Sequence, residues 1–574
     1  MIKDVIDIIS NFKKTNYIFI IFASVFLILA EIISISIFLP LFYLLFDQEN
    51  KYLNLLSKFL EKNEFVIIDI FTTFLLIVLI IYILRFFTSI ILNFYILNYK
   101  ASLQKFFSNK ALDYFLKKKY LEIKKINLNR LQILTARETE KFANAVEALV
   151  ILFTDFFVIL LILGLLLLQE PYVSLIIIIF FSIFFGFYKV VFKPIIKKWG
   201  ENHYFHDVRR TTTLNEIFLL IREIKIFGEN KIFKQKYSFD NSRTQIAQRN
   251  RVYFFSFIKS FTEVLIVSLL TGGILIIHFQ SKNLIDFLPI ISFFFVATIK
   301  IYPLINRSMN NLQNLEFSRK SIEFHKKLSK FLKQKNKLKI LKDNDQKIFK
   351  DKGKNILRLR NLYFSYDKKK IYKNLNINLQ DNSIVGIQGE SGGGKTTFVE
   401  ILLGLIEPKK GEIRINNFDI HKNKEEWFKN ISYVSQDNIL FNGSILQNIS
   451  FKLDYKDINK YEILNLLKNL NKNFYNKFKR KINSIINYNA SNLSLGEKQR
   501  ISIARGLFRG KKIIVLDEIT SSLDKENEKQ ILNEVKKFKK DRLIIIISHK
   551  KSSLKICDII YKIDNFRLRK VVNE

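Results

Sequence analysis

The stretch Gly389-Glu-Ser-Gly-Gly-Gly-Lys395-Thr396-Thr397 has the residue types and spacing of a phosphate cradle. Gly389, Gly392, Gly393 and Gly394 let successive backbone N–H groups turn toward one anion, and Ser391 and Thr397 fall in the same cradle. A short apolar strand, Ile384–Gln388, runs into it, and an apolar helix, Phe398–Leu405, follows. That order is the setting of a P-loop, in which the helix N-terminus adds a favourable dipole. Lys395 is expected to reach the β- and γ-phosphates of ATP, and Thr396 to hold Mg²⁺.

A second carboxylate-bearing strand follows in Lys512-Ile-Ile-Val-Leu-Asp517-Glu518. Apolar residues ending in a carboxylate describe a buried strand that delivers Asp517 to the magnesium. Glu518, next to it, is placed to orient or deprotonate an attacking water. Alone this pattern is weak; with the P-loop it is specific.

These motifs need a scaffold, and the composition suggests two. The chain of 574 residues is too long for one ordinary domain. Its 49% hydrophobic residues are ordinary in amount but come in long runs. Six runs are long enough to span a bilayer, near Tyr17–Leu45, Phe65–Tyr95, Ala148–Leu168, Tyr172–Phe192, Phe254–Phe279 and Leu284–Leu304. Two long basic links, about 100–145 and 193–250, are expected on the cytoplasmic side with both termini. The net charge of +40 is assigned to an anionic membrane surface, not to nucleic acid, because basic residues flank the apolar runs. The first outer link, Asn50–Glu61, carries Leu53, Leu56, Phe59 and Leu60 at helical spacing and reads as an amphipathic helix on the outer leaflet. No cleavable signal peptide is expected.

The expected organisation is a six-helix transmembrane domain over residues 1–325, a Lys-rich linker over 326–354, and an α/β nucleotide-binding domain over 355–574. One cysteine, Cys557, excludes a disulfide scaffold. His203, His206, His278, His325 and His421 are scattered and read as satisfied or solvated side chains.

Between the two phosphate-site motifs lies Asn492-Leu-Ser494-Leu495-Gly496-Glu497-Lys-Gln-Arg500. It resembles the signature of ATP-binding-cassette (ABC) proteins, usually Leu-Ser-Gly-Gly-Gln. The resemblance extends over the chain, as six spans followed by one cassette in an exporter half-transporter. It implies that Tyr366 stacks on adenine, that Gln436 joins the magnesium, that Asp524 belongs to the D-loop, and that His549 is the switch histidine on the γ-phosphate. It also implies that Ser494 and Gly496 cap ATP held by a second copy, so that a homodimer forms. Leu495 and Glu497 depart from the family pattern, while Ser494 and Gly496 keep the phosphate-facing positions. In the same family the segments Glu122–Ile133 and Arg222–Phe233 would dock on the cassettes.

Charged residues inside spans are costly and are expected to face a cavity or a partner. The cationic set is Arg85, Lys259, Lys300 and Arg307, with Lys259 and Glu263 spaced to pair. Glu31 and Asp155 are further carboxylates within the spans; cations facing a cavity would suit a pyrophosphate, and internal salt bridging or snorkelling near the interface is the other reading. The outer helix, Arg85 and Lys300-x-x-Pro303-x-x-x-Arg307 are similar to bacterial lipid-linked oligosaccharide flippases. That resemblance implies an anionic lipid-linked substrate at the bacterial cytoplasmic membrane, with lysine at 259 and 300 where arginine is expected. Export of a peptide and ATP-binding without transport stand as alternatives.

Overall fold

The structure, a computed structural model, describes residues 2–9, 14–46, 70–126, 128–169, 171–279, 284–338, 349, 355–367, 369–390, 392–456, 458–487, 490, 492–520, 523–564 and 566–571. They form two compact units, one of Met1–Lys118 with Glu122–Leu341 and one of Lys119–Leu121 with Lys342–Glu574.

The first unit is helical. Its long elements are Lys14–Ser36 continued by Phe38–Leu45, then Ile70–Lys117, Glu138–Gln169, Pro171–Phe187, Lys193–Leu219, Asn230–Phe279, Leu284–Phe317 and Arg319–Leu338. Among the described residues, four stretches are long and apolar enough to cross a membrane: Ser24–Tyr43, Leu75–Lys117, Asn129–Gln169 and Leu288–Phe317. The expected spans Tyr172–Phe192 and Phe254–Phe279 lie on helical segments but are not among those four. On Ile70–Lys117 many apolar side chains point outward, with Leu79, Leu84, Phe86 and Phe94 all more than half exposed, while Leu92, Ile96, Leu103 and Phe107 are buried. Such a surface requires a lipid or protein partner. Elsewhere the helices bury a shared core, with Ile35, Val158, Ile162, Ile258, Phe293 and Ala297 in one cluster. The outer amphipathic helix expected within 50–61 falls outside the described residues.

One boundary differs from expectation. The Lys-rich segment 326–354 is helical through Leu338, as the end of Arg319–Leu338. Ile322, His325, Leu328 and Ser329 are buried along one face, and the Phe331 ring meets Tyr114 edge-on at 4.8 Å. Lys326, Lys327 and Lys330 are exposed, so a charge-rich stretch conceals an amphipathic helix. Of the expected docking segments, residues 122–133 take in the end of the short helix Tyr120–Lys124 and all of Leu128–Gln132. Residues 222–233 take in most of the helix Ile221–Phe227, which ends at left-handed Gly228 (φ 73°).

The second unit holds a four-stranded antiparallel sheet in the order β2-β1-β4-β5, from β1 Ile356–Tyr366, β2 Lys369–Gln380, β4 Lys410–Ile415 and β5 Phe418–Asp419. A six-stranded sheet runs β10-β9-β3-β8-β7-β6, from β3 Ser383–Gln388, β6 Ile431–Val434, β7 Ile513–Asp517, β8 Leu543–Ile547, β9 Ile559–Asp564 and β10 Arg567–Val571. Strands β9, β3, β8, β7 and β6 pair in parallel. All five residues of β7 and of β8 are buried. Their alternation explains why. Ile513, Val515 and Ile545 join the core on one face, and Ile514, Leu516, Ile544 and Ile546 join the core on the other. A parallel sheet covered on both faces needs such unbroken apolar strands. Each buried aliphatic side chain stabilises by roughly 1.5–3 kcal/mol.

Candidate functional site

The parallel register decides where the chemistry gathers. Ile387 of β3 lies opposite Ile547 of β8, and Asp517 of β7 lies opposite the same Ile547. The chain leaves all three strands at one edge. Ser548 N–H donates to the Ile387 carbonyl at 3.2 Å, and Glu518 N–H to the Ile547 carbonyl at 3.0 Å. The P-loop, the Asp517-Glu518 pair and His549 therefore meet at the carboxyl ends of the strands, the usual ligand edge of such sheets.

The P-loop enters the helix Lys395–Leu402 through Gly394, which is left-handed (φ 99°). Its carbonyl accepts from the buried Tyr372 hydroxyl at 2.8 Å. A Cβ there would stand 3.0 Å from both that oxygen and Ile371 Cγ2, so glycine is required by conformation and by space. Lys395 Nζ donates to the Gly389 carbonyl at 2.7 Å and lies 3.9 Å from Glu518 Oε1. Ser391 lies outside the described residues.

Glu518 is the hub. Its Oε2 accepts from Gln436 Nε2 at 2.9 Å, and its Oε1 faces His549 Nδ1 at 3.3 Å. Its backbone is left-handed (φ 47°), a conformation that costs a non-glycine residue about 1–3 kcal/mol and is retained where geometry serves a purpose. Asp517 accepts from the Tyr433 hydroxyl at 3.1 Å. Burial raises the Asp517 carboxyl above its ordinary range, and Tyr433 partly offsets this. The Tyr433 hydroxyl is pushed up by burial and by that carboxylate, so it stays a donor.

Hydroxyl, amide and carboxylate oxygens from Thr396, Gln436 and Asp517 suit Mg²⁺. Among the described residues no cluster of three or more His, Cys, Asp or Glu could hold a metal. The donor set fits an ion that draws its remaining ligands from phosphate and water. Tyr366 is half-buried, and its hydroxyl donates to Glu400 Oε2 at 3.2 Å on the P-loop helix.

Ser494 and Asp524 each N-cap a helix. Ser494 Oγ accepts from Glu497 N–H at 3.3 Å, and Glu497 Oε2 accepts from Ser494 N–H at 2.8 Å. Asp524 Oδ1 accepts from Asn527 N–H at 2.8 Å, which holds its carboxyl below the usual range. A Cβ on Gly496 would lie 3.8 Å from Leu523, so the two caps are neighbours. Among the described residues no hydrogen bond or ion pair joins Ser494, Gly496 or Asp524 to the Lys395–Glu518 cluster. The structure thus assembles Lys395, Gln436, Asp517, Glu518 and His549, and holds the signature residues apart. Sequence reasoning missed Tyr372, which carries no motif, and gave no role to Tyr433, which opens the Tyr-Val-Ser-Gln stretch ending at Gln436. It also missed the capping role of Glu497, although Ser494-x-x-Glu497 has the spacing of a capping box.

In the helical unit, Arg85 Nε donates to Glu31 Oε1 at 2.6 Å. Arg85 and Lys300 both approach the Tyr82 ring, at 5.6 and 4.6 Å from its centroid. Arg307 Nε donates to Asp155 Oδ2 at 3.0 Å, a second guanidinium nitrogen donates to Oδ1, and Ser308 donates to Oδ2 at 3.3 Å. Asp155 is fully buried, whereas half of the Arg307 side chain is exposed. Lys259 is exposed and forms no ion pair with Glu263 among the described residues. A cavity of about 690 Å³ lies beside Ser308, walled by Leu149, Phe153, Phe156, Leu163 and Leu312.

Comparisons with known proteins agree with this geometry. Residues 372–521 match the ABC transporter family. An export ATP-binding/permease protein of Rickettsia typhi is 38% identical over 213 residues, 36% of this chain and 37% of that protein. A multidrug resistance ABC transporter ATP-binding and permease protein of Lactococcus lactis is 33% identical over 212 residues, 36% of each chain. The α-hemolysin translocation ATP-binding protein of Escherichia coli is 33% identical over 205 residues, 35% of this chain and 29% of that protein. The match thus spans between 29% and 37% of the length of these relatives. Over nearly its whole length the chain has the fold of a bacterial Atm1-family ABC exporter solved with ATP bound, with a TM-score of 0.76, 17% identity, and coverage of 96% and 95% of the two chains. This chain therefore carries an ABC transporter domain, joined to a helical domain in the fold of an ABC exporter.

Proposed function

We propose that the chain is an ATP-hydrolysing exporter that works as a homodimer in a bacterial cytoplasmic membrane, with its six spans in the bilayer and its ATPase domain in the cytoplasm. One observation carries the ATPase reading: Lys395, Gln436, Asp517, Glu518 and His549 converge at one strand edge. Lys395 neutralises phosphate charge, Asp517 is the magnesium ligand with Thr396 and Gln436, and bound Mg²⁺ supplies charge stabilisation at the phosphates. Glu518 accepts a proton from the attacking water, while Gln436 and His549 hold its carboxylate in place. Tyr366 supplies an aromatic face for adenine. Ser494, Gly496 and Asp524 face the nucleotide of a second copy, which explains why this fold leaves them away from the cluster.

The substrate in this reading is a lipid-linked saccharide or a related anionic lipid. The apolar cavity suits a hydrocarbon chain, and Arg307, Arg85 and Lys300 lie on helices that line it. Glu31 and Asp155 neutralise the two arginines, so the charge left for a head group rests on Lys300 and Lys259. The test is complementation of a strain that lacks its lipid-linked oligosaccharide flippase, scored by periplasmic glycoprotein, with Glu518→Gln as control. Restoration by the unsubstituted chain alone supports this substrate class. No restoration by an expressed, ATP-hydrolysing chain overturns it and leaves export of a peptide as the working reading.

A further inference from the structure

Glu497 stands where the family signature carries a neutral glutamine. A carboxylate at the third position of the helix Leu495–Phe508 places a negative charge beside Ser494, in the segment that would meet the triphosphate of the partner copy. Two anions at one helix N-terminus compete for the same positive field. The structure holds a compensating group. Lys477 Nζ donates to Glu497 Oε1 at 2.6 Å, while Oε2 accepts from Ser494 N–H at 2.8 Å. Each carboxylate oxygen thus has its own donor. Nine-tenths of the Glu497 side chain is buried, and Lys477 is nearly two-thirds exposed.

Lys477 lies on the helix Lys472–Phe478, whose other end is also tied to the nucleotide segments. Asn471 caps that helix by accepting from Phe474 N–H at 2.7 Å. Its amide donates to Asn527 Oδ1 at 2.9 Å, and Asn527 N–H is the donor to Asp524. One short helix thereby connects the Ser494 cap to the Asp524 cap.

Resting on the ATPase reading above, we propose that Lys477 is a positioning residue for the composite nucleotide site: it cancels the charge of Glu497 and holds the capping box that orients Ser494 toward the partner's ATP. The Ser494 oxygen accepts from the helix, which leaves its O–H free to donate to a phosphate. Without Lys477 the carboxylate loses one of its two donors, is left partly unpaired, and repels the incoming triphosphate. A glutamine at 497 has an amide oxygen for the same cap and no charge to cancel, so it removes the need for the lysine. Lys477 and Glu497 are therefore a matched pair.

The test measures ATP KM and kcat for the full chain in lipid nanodiscs with Mg²⁺. Lys477→Met is expected to raise KM by about 3- to 10-fold and to change kcat by less than about twofold. Lys477→Arg is expected to restore KM. In a Glu497→Gln background, Lys477→Met is expected to leave KM within about twofold of that background. An unchanged KM in Lys477→Met, or the same rise with glutamine at 497, overturns the proposal and leaves the ATPase reading standing. Absence of ATP hydrolysis by the unsubstituted chain removes the ATPase reading, and the proposal falls with it.

Discussion

Glu518 keeps a left-handed backbone because its neighbours fix it from three sides: the β8 carbonyl on its N–H, Gln436 on one oxygen and His549 on the other. Removing its charge should leave that frame intact. Glu518→Gln is therefore expected to keep ATP affinity and to lower kcat by about 10²–10⁴-fold, the usual weight of a general base, in a single-turnover assay. Retention of full kcat would assign the proton to another group. Gly394 is constrained from the opposite direction. Alanine there would strain the backbone by about 1–2 kcal/mol and meet Tyr372 and Ile371. Loss of nucleotide binding with little loss of fold, read by nucleotide titration and thermal unfolding, is the expected result. Cys557 offers a check on packing. It is buried, and burial pushes its thiol up to about 12. A raised thiol pKa means almost no thiolate near pH 8, so a maleimide should label the denatured chain and spare the native one. Fast labelling of the native chain would show that the face of the sheet beside Gly386 is open.

Elements show where sequence reading reached and where it stopped. The P-loop was legible because strand, glycines and helix are contiguous, and local chemistry specifies them together. The β7 strand was legible because a fully buried parallel strand must be apolar throughout and its carboxylate is therefore conspicuous. Tyr433 was not legible, because what gives it a role is the pairing of β6 with β7, a register with no local signal. The helix that ends at Leu338 was hidden by lysine content, although its apolar face repeats at helical spacing. The charges on the apolar helices are the sharpest case. Spacing supplied candidates for pairing, but only packing of Glu138–Gln169 against Leu284–Phe317 unites Asp155 with Arg307. That pair makes a prediction of its own. Arg307→Ala would leave a fully buried carboxylate with Ser308 as its remaining side-chain donor among the described residues, and half of the arginine is exposed, so a loss of about 1–3 kcal/mol is expected. The double variant Asp155→Asn with Arg307→Ala should recover part of it in detergent unfolding. No recovery would mean that Arg307 stabilises through its packing alone.

At the scale of the molecule, the arrangement of two separate clusters has a consequence that either one alone lacks. If ATP sits between the Lys395–Glu518 cluster of one copy and the Ser494–Gly496 segment of the other, each homodimer holds two identical sites, and each site draws on both chains. Lys395→Met and Ser494→Ala would then each damage both sites of its own homodimer. In a mixed dimer the lesions redistribute. One site receives the altered Lys395 position from one chain and the altered Ser494 position from the other, and the second site receives neither. Random assembly makes about half of the dimers mixed, so about a quarter of all sites should be intact. Co-expression of the two variants should therefore restore ATP hydrolysis toward that fraction, above either variant alone, with differently tagged chains to purify the mixed dimer. Sites contained within one chain predict no restoration, because every site would then carry one lesion. The experiment separates the two arrangements without requiring any knowledge of the transported molecule. It also measures how far one intact site can drive the enzyme when the other is disabled.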